Sequence, residues 1–120
     1  MHEDERYENG LTVRKAVLGD AHVERSLAKR NDFNTEFQAL ITRYAWGEIW
    51  TRPGLDERTR RVLVIGTMLA LGRWEEFVMH AKAAMAEGGF TADDLKEIVL
   101  QQAASAFTQA LMQFLTGRME

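Results

Sequence analysis

The sequence contains no cysteine among its 120 residues. Disulfide bonds, thiolate metal ligands and thiol nucleophiles are therefore excluded, and thiol-based peroxidase chemistry is excluded with them. The segment 1–8 is strongly charged and has no apolar stretch, so it carries no pattern typical of a secretory signal. We therefore expect a cytoplasmic protein, where a chain without disulfides is at no disadvantage.

Proline, long apolar runs and blocks of one charge are also scarce. The single proline is Pro53, and the alternation of apolar and polar residues typical of strands is absent, so helices should dominate. The longest apolar run, residues 62–71, is far shorter than the roughly 20 residues that span a bilayer. The net charge is −3 and no basic block stands apart from acidic neighbours. The sequence therefore predicts neither a membrane nor a nucleic-acid partner.

What the chain does contain is apolar residues, at 46% of the total. Its length is that of one domain, and we expect a single domain spanning residues 1–120. A domain this short has a small interior of its own. We therefore expect part of the apolar surface to be buried between subunits of a homo-oligomer.

The pattern predicts an all-α, compact antiparallel helical domain. The first helix should cover about 5–17, with a break near Gly10 or an end at Gly19, and a short second helix should follow. In the third helix, apolar residues at a spacing of three and four predict one buried stripe: Phe33, Phe37, Leu40, Ile41 and Tyr44. The fourth helix, capped by Asp56, is apolar on nearly every face and should be central and buried.

The last two helices have clear boundaries. The fifth should run from 74 to 87, between the stop signals Gly72 and Gly88. Thr91 and Asp94 form the pattern of a capping box at the start of the sixth helix, with Asp in place of the usual Glu. The apolar stripe of the sixth helix continues to the end of the chain.

His80 is the histidine whose setting suggests chemistry. Glu76 precedes it by four residues, so both side chains project from one face of the fifth helix. A neighbouring carboxylate favours imidazolium and raises a histidine pKa, which would make a competent general acid. The alternative is a surface pair with a small effect on stability. A metal site would need at least one more ligand, so none is expected.

The stretch 44–56 is the most unusual in the chain, because aromatic and charged residues crowd around a helix end. Aromatic rings with a few polar groups are what a small-molecule pocket requires, and an arginine can bind a carboxylate with two hydrogen bonds. The alternative is a packed helical corner in which Trp46 and Trp50 are core anchors. The following run of Arg58, Arg60 and Arg61 either reaches an anion or a partner subunit, or forms a solvated face.

Several segments resemble the carboxymuconolactone decarboxylase family, in order and at unforced spacing, over roughly residues 5–104. The most distinctive of them reads ITRYAWGEIWTRPGLD (41–56), and it is accompanied by RKAVLGDAHV (14–23), LALGR (69–73), EEF (75–77), His80 and EIVLQ (97–101). The resemblance implies the fold of alkyl hydroperoxidase D and ring-like assemblies, hexamers or trimers, with pockets near subunit contacts. It also implies a carboxy-lyase without metal or organic cofactor. The expected reaction converts 4-carboxymuconolactone to 3-oxoadipate enol-lactone in the protocatechuate branch of the β-ketoadipate pathway.

Site roles follow from this resemblance as hypotheses. His80, assisted by Glu76 or Glu48, would protonate the carbanionic intermediate, and Trp46 and Trp50 would exclude water. The arginine that binds the substrate carboxylate is left open among three candidates, and Tyr44 would line the same pocket. These candidates are Arg43, Arg52 and Arg60.

The sequence departs from the family after Gln101, where a turn of about nine residues is absent. Two helices that this turn would separate should therefore be fused into one, from about 92 to 116. A fused helix cannot fold back on its own core, so it would dock into a neighbouring subunit or leave the pocket incomplete. The shortened segment favours one alternative, a non-catalytic oligomeric scaffold or partner-binding protein. A second alternative, a decarboxylase of a related carboxylated lactone, stays open because the shape of the pocket decides the substrate.

Overall fold

The computed structural model describes residues 2–117, and this part of the chain is helical without a strand. The all-α prediction is confirmed. In chain order the helices are α1 (Glu3–Leu18), α2 (Asp20–Ala28), α3 (Thr35–Ile41), a π-helix (Thr42–Ile49), α4 (Glu57–Ala70), α5 (Trp74–Glu87) and α6 (Ala92–Leu115).

The closest helix pair is α1 and the π-helix, which pack more extensively than any other two elements. Glycine permits this approach: a Cβ on Gly10 would lie 1.9 Å from the carbonyl oxygen of Thr42, and one on Gly47 would lie 2.7 Å from that of Arg6. The predicted break at Gly10 is wrong, because α1 runs through it without interruption. Gly10 serves close backbone packing and does not end the helix.

Two apolar clusters form the core. The first joins α1, α2, the π-helix and α5, and consists of Val17, Leu18, Val23, Trp46 and Ala83. The second joins α4, α5 and the start of α6, and consists of Ile65, Ala84 and Phe90. Since α5 contributes to both clusters, it is the helix that links the two halves of the molecule.

The predicted caps of α4 and α6 and the predicted stop at Gly72 are confirmed. The Asp56 carboxylate accepts a hydrogen bond of 2.7 Å from the Thr59 amide at the start of α4. The Thr91 hydroxyl accepts a bond from the Asp94 amide, and the Asp94 carboxylate accepts one from the Thr91 amide, which is a complete capping box. Gly72 ends α4 in the left-handed region, with φ of +70°.

Two burial predictions are wrong for this chain. The stripe predicted for the third helix is largely exposed, with Phe33, which precedes α3, at 96% and Phe37 at 61% of the maximal surface, whereas Ile41 packs against the first cluster. Helix α4 is not central: Leu63 is 54% exposed, and Leu71, which follows its last residue, is 67% exposed, although α4 packs against α5 and α6. Apolar periodicity identifies a face that avoids water, but it does not identify what covers that face.

The predicted fused helix is confirmed, because α6 is a single helix of 24 residues. Its early part packs against α4, where the Gln102 side-chain amide donates a hydrogen bond of 2.7 Å to the Gly66 carbonyl. Residues 103–117 are all exposed. The radius of gyration is 17.3 Å, whereas a compact chain of this length has about 14 Å. Among the described residues, no helix combines the length and apolarity needed to cross a bilayer.

Candidate functional site

His80 lies on α5, half-buried. Its pKa is below the ordinary value of histidine, first because burial disfavours the charged ring and second because the Arg61 and His22 charges act on it. Glu76 opposes these effects and is the weakest of the four. Glu76 thus acts in the expected direction, but burial and the two cations outweigh it, so His80 in the free protein has a lowered pKa and favours the neutral imidazole.

Glu76 is occupied by another partner. Its carboxylate accepts a hydrogen bond from the Arg73 guanidinium, three residues earlier on the chain. This bond is the main reason that the pKa of Glu76 lies below its usual value. Glu76 is thus a carboxylate held at the start of α5 by Arg73, and within residues 2–117 it makes no hydrogen bond to His80.

Glu48 and Arg43 pair with charged residues at the start of α1, whereas Tyr44 is largely exposed. The Glu48 carboxylate lies 3.8 Å from the Arg6 guanidinium, and the Arg43 Nε lies 3.0 Å from the Glu3 carboxylate. Tyr44 is 54% exposed. Both charged groups therefore tie the π-helix to α1, and the structure does not bring either of them to His80.

Trp46 and Trp50 are stacked, with ring centroids 4.9 Å apart and an angle of 23° between the ring planes. Trp46 is a buried core residue, whereas Trp50 is half-buried and lines a cavity of about 270 Å³ with Arg60 and apolar residues of α4. The Arg60 guanidinium donates a hydrogen bond of 2.9 Å to the Arg52 carbonyl, so Arg60 fixes the loop after the π-helix. The alternative of a packed helical corner is therefore correct for Trp46, which is a core residue. Trp50 and Arg60 instead form the wall of a shallow pocket.

The sequence left the role of Arg61 open between contact with an anion or a partner subunit and a solvated face. Among residues 2–117 it is the most buried charged residue, at 2% exposure. Its Nη1 donates a hydrogen bond of 2.9 Å to the Val17 carbonyl, at the end of α1. A solvated face is therefore wrong for this member of the run 58–61. The signal in the sequence was the position, since arginine is unfavourable in the first turns of a helix.

A second arginine, Arg14, is also buried beside α2 and the π-helix. It donates hydrogen bonds to the neutral side chains of Gln38, Thr42 and Ser26. The pKa of His22 on α2 is lowered, first by burial and then by the positive charges of Arg25 and Arg14. The interior next to α5 is thus rich in cations and imidazoles, which is an environment that favours an anionic ligand.

Comparison with known proteins identifies the family. The profile of the Carboxymuconolactone decarboxylase family matches residues 35–116. A 4-carboxymuconolactone decarboxylase of Acinetobacter baylyi is 51% identical over 100 residues, which cover 83% of this chain and 74% of that protein. A second protein of that name, from Pseudomonas putida, is 62% identical over 48 residues, which cover 40% of this chain and 100% of that sequence.

A more distant relative has another substrate in its name. The nitrosuccinic acid decarboxylase of Metarhizium robertsii is 36% identical over 107 residues, which cover 89% of this chain and 74% of that protein. No solved structure matches the chain significantly. The family match, the two relatives that are 4-carboxymuconolactone decarboxylases and the all-α architecture agree, and the chain belongs to the carboxymuconolactone decarboxylase family.

Proposed function

We propose that this chain decarboxylates 4-carboxymuconolactone to 3-oxoadipate enol-lactone and carbon dioxide, as a carboxy-lyase of the β-ketoadipate pathway. The observation that carries the proposal is the 51% identity to the Acinetobacter baylyi decarboxylase over 83% of the chain. The cation-rich surroundings of His80 support it, because the substrate is a dianion at neutral pH.

The substrate itself provides most of the chemistry. The carboxylate that leaves is attached to a ring carbon conjugated, through the alkene, to the lactone carbonyl. When the bond to this carboxylate breaks, its electron pair spreads onto the carbonyl oxygen as a dienolate, and carbon dioxide departs. The protein must hold the acetate carboxylate that remains, keep water from the reacting carbons and deliver one proton to carbon.

His80 is the proposed proton donor. In the free protein its low pKa favours the neutral ring, because burial and Arg61 disfavour the charged form. A bound dianion reverses this balance, since a negative charge beside an imidazole stabilises imidazolium. Substrate binding thus favours protonation of His80. Loss of carbon dioxide then forms the dienolate, which accepts this proton at carbon.

The test is turnover of freshly generated 4-carboxymuconolactone by the purified protein, with His80→Ala as the variant. Loss of the proton donor should lower kcat by about 10²- to 10⁴-fold. Lys82→Ala is the matched control, because Lys82 is an exposed residue of the same helix. A loss below about threefold in His80→Ala would remove His80 from this role.

Absence of turnover by the folded wild type would reject the reaction and favour one of two other readings. The nitrosuccinic acid decarboxylase relative favours a decarboxylase of a different carboxylic acid. The long exposed part of α6 favours a scaffold or partner-binding protein that has no activity. Assays with a set of carboxylated lactones and with nitrosuccinate separate these two.

We further propose that the chain forms a homo-oligomer in which α6 of one subunit docks onto the next. Apolar side chains on the exposed part of α6 support this, among them Phe107 and Phe114, each 69% exposed. A groove of about 550 Å³ between α4 and α6, lined by Leu69, Val99 and Ala106 among others, is an apolar receptor for such a helix. Exposed apolar surface of this extent marks an interface in a protein that functions in water.

A further inference from the structure

The side chain of Arg61 is buried with part of its hydrogen-bonding capacity unused. Nη1 is satisfied by the Val17 carbonyl. Nε and Nη2 are both inaccessible to solvent and donate no hydrogen bond within residues 2–117. These two nitrogens form one edge of the planar guanidinium, and their N–H groups point in the same direction.

Glu57 does not satisfy this edge. Its carboxylate lies 3.5 Å from the Arg61 Nε, one helical turn earlier on α4, and its side chain is 52% exposed. A carboxylate that is half in water and makes no hydrogen bond contributes little compensation to a buried cation. A buried charge without a partner costs several kcal/mol, so a position of this kind is expected to have a ligand.

The chemical class of that ligand follows from the geometry of the free edge. Two parallel N–H donors match the two oxygens of a carboxylate, which binds arginine with two hydrogen bonds. The Gly88 backbone lies against this edge, because a Cβ on Gly88 would lie 2.7 Å from the Arg61 Nε, so a ligand reaches the edge only when the turn after α5 shifts. The turn after α5 is thus shaped around this side chain.

We propose that Arg61 is the residue that binds a carboxylate of the substrate, through its Nε and Nη2 edge. This inference rests on the proposed decarboxylation and adds to it the anchor of the substrate. The carboxylate concerned is the one that the product retains. An arginine on the departing carboxylate would stabilise the charge that the reaction must remove, and so would slow the reaction.

The other candidate arginines are less suited to this role. The Arg43 Nε is paired with Glu3 at 3.0 Å. The Arg60 Nη2 donates to the Arg52 carbonyl, so that only Nε of its Nε and Nη2 edge is buried without a partner. Arg52 itself is exposed to water, which weakens any bond to an anion. Arg61 combines burial, free donors and an electrostatic effect on His80.

The experiment uses adipate, a stable dicarboxylate, and follows the His80 imidazole by NMR as pH is varied. In the wild type, adipate should bind and raise the pKa of His80, because its charge offsets that of Arg61. In Arg61→Gln, adipate affinity should fall by about 10- to 100-fold, the effect of losing hydrogen bonds to a charged group. The control is Arg58→Gln, whose side chain pairs with Asp94 and stacks on Phe90, and it should bind adipate as the wild type does.

A second variant covers the case in which Arg61→Gln does not fold. Arg61→Lys keeps the positive charge but lacks the pair of parallel N–H donors that binds both carboxylate oxygens, so its affinity for adipate should fall by about tenfold. An unchanged His80 signal on addition of adipate to the wild type would overturn the proposal. Wild-type affinity in either folded Arg61 variant would overturn it as well.

Turnover of the lactone separates this proposal from the proposed function. Arg61-dependent binding of adipate without turnover would support the carboxylate site and reject the decarboxylation. Turnover that persists at the wild-type KM in Arg61→Lys would support the decarboxylation and overturn the role of Arg61. Turnover with a KM raised in proportion to the loss of adipate affinity would support both.

Discussion

At the scale of single residues, the charge on His80 controls when the protein can deliver a proton. The free protein holds the pKa of His80 below the ordinary value, about 6.5 for histidine, because of burial and the Arg61 charge. Only the protonated ring can donate, so activity must decrease as pH rises through the pKa of His80. This pKa differs between the free protein and the complex, because a dianionic substrate adds negative charge beside the ring.

The pH dependence of kcat/KM and of kcat should therefore differ. Since kcat/KM reports the free protein, it should fall as pH rises through a pKa below about 6.5. Since kcat reports the complex, it should fall at a distinctly higher pH. Steady-state kinetics from pH 5 to 9 measure both, and the residual activity of His80→Gln should lack both transitions. Two coincident profiles would contradict a substrate-induced rise in the pKa.

The residue scale is also where sequence reasoning reached its limit. His80 could be singled out because Glu76 precedes it by four residues on one helix face and because it belongs to the segments that resemble the family. The burial of Arg61 could not be predicted, because the run 58–61 contains three arginines and only one of them is buried: Arg58 is 54% exposed at its side chain, whereas Arg61 is 3% exposed there. Which arginine is covered depends on α1 and on the turn at Gly88, and both are distant in sequence.

At the scale of helices, local signals were sufficient for boundaries. Helix α5 has the predicted limits, 74 and 87, and the capping box at Thr91 and the stop at Gly72 form as expected. The absence of a turn after Gln101 correctly predicted one long α6. The π-helix was not predicted, because it depends on the tertiary contact with α1 and has no pattern of its own in the sequence.

The contact between α1 and the π-helix gives a prediction at this scale. Gly10→Ala should destabilise the fold by about 3 kcal/mol or more, because the added methyl would lie 1.9 Å from the Thr42 carbonyl oxygen and the two helices would have to separate. Thr12→Ala is the control, since Thr12 is an exposed residue of the same helix and should change stability by about 0.5 kcal/mol or less. Urea denaturation followed by circular dichroism measures both variants. Equal midpoints would show that the helices do not need this close approach.

At the scale of the whole molecule, the unmet predictions share one cause. The stripe of α3, much of α4 and the end of α6 carry apolar side chains that no part of residues 2–117 covers. The helical periodicity correctly identified these faces as apolar, but a single chain has no surface that covers them. The sequence therefore specifies the faces, and the partner that buries them is a second copy in the proposed assembly.

The exposed part of α6 provides the test of that assembly. Replacing Phe107 and Phe114 together by Glu should convert the oligomer into smaller species, because each change places a charge on an apolar side chain that is 69% exposed in the single chain. Glu97→Gln is the control, as Glu97 is an exposed polar residue of the same helix. Light scattering coupled to size-exclusion chromatography measures the mass of the wild type and of both variants. A monomeric wild type, or a double variant that keeps the wild-type mass, would contradict docking through α6. A dissociated variant that is also inactive would place the substrate pocket at the subunit contact, because both phenylalanines lie in the exposed part of α6 beyond Gln102, the residue that bonds α6 to α4.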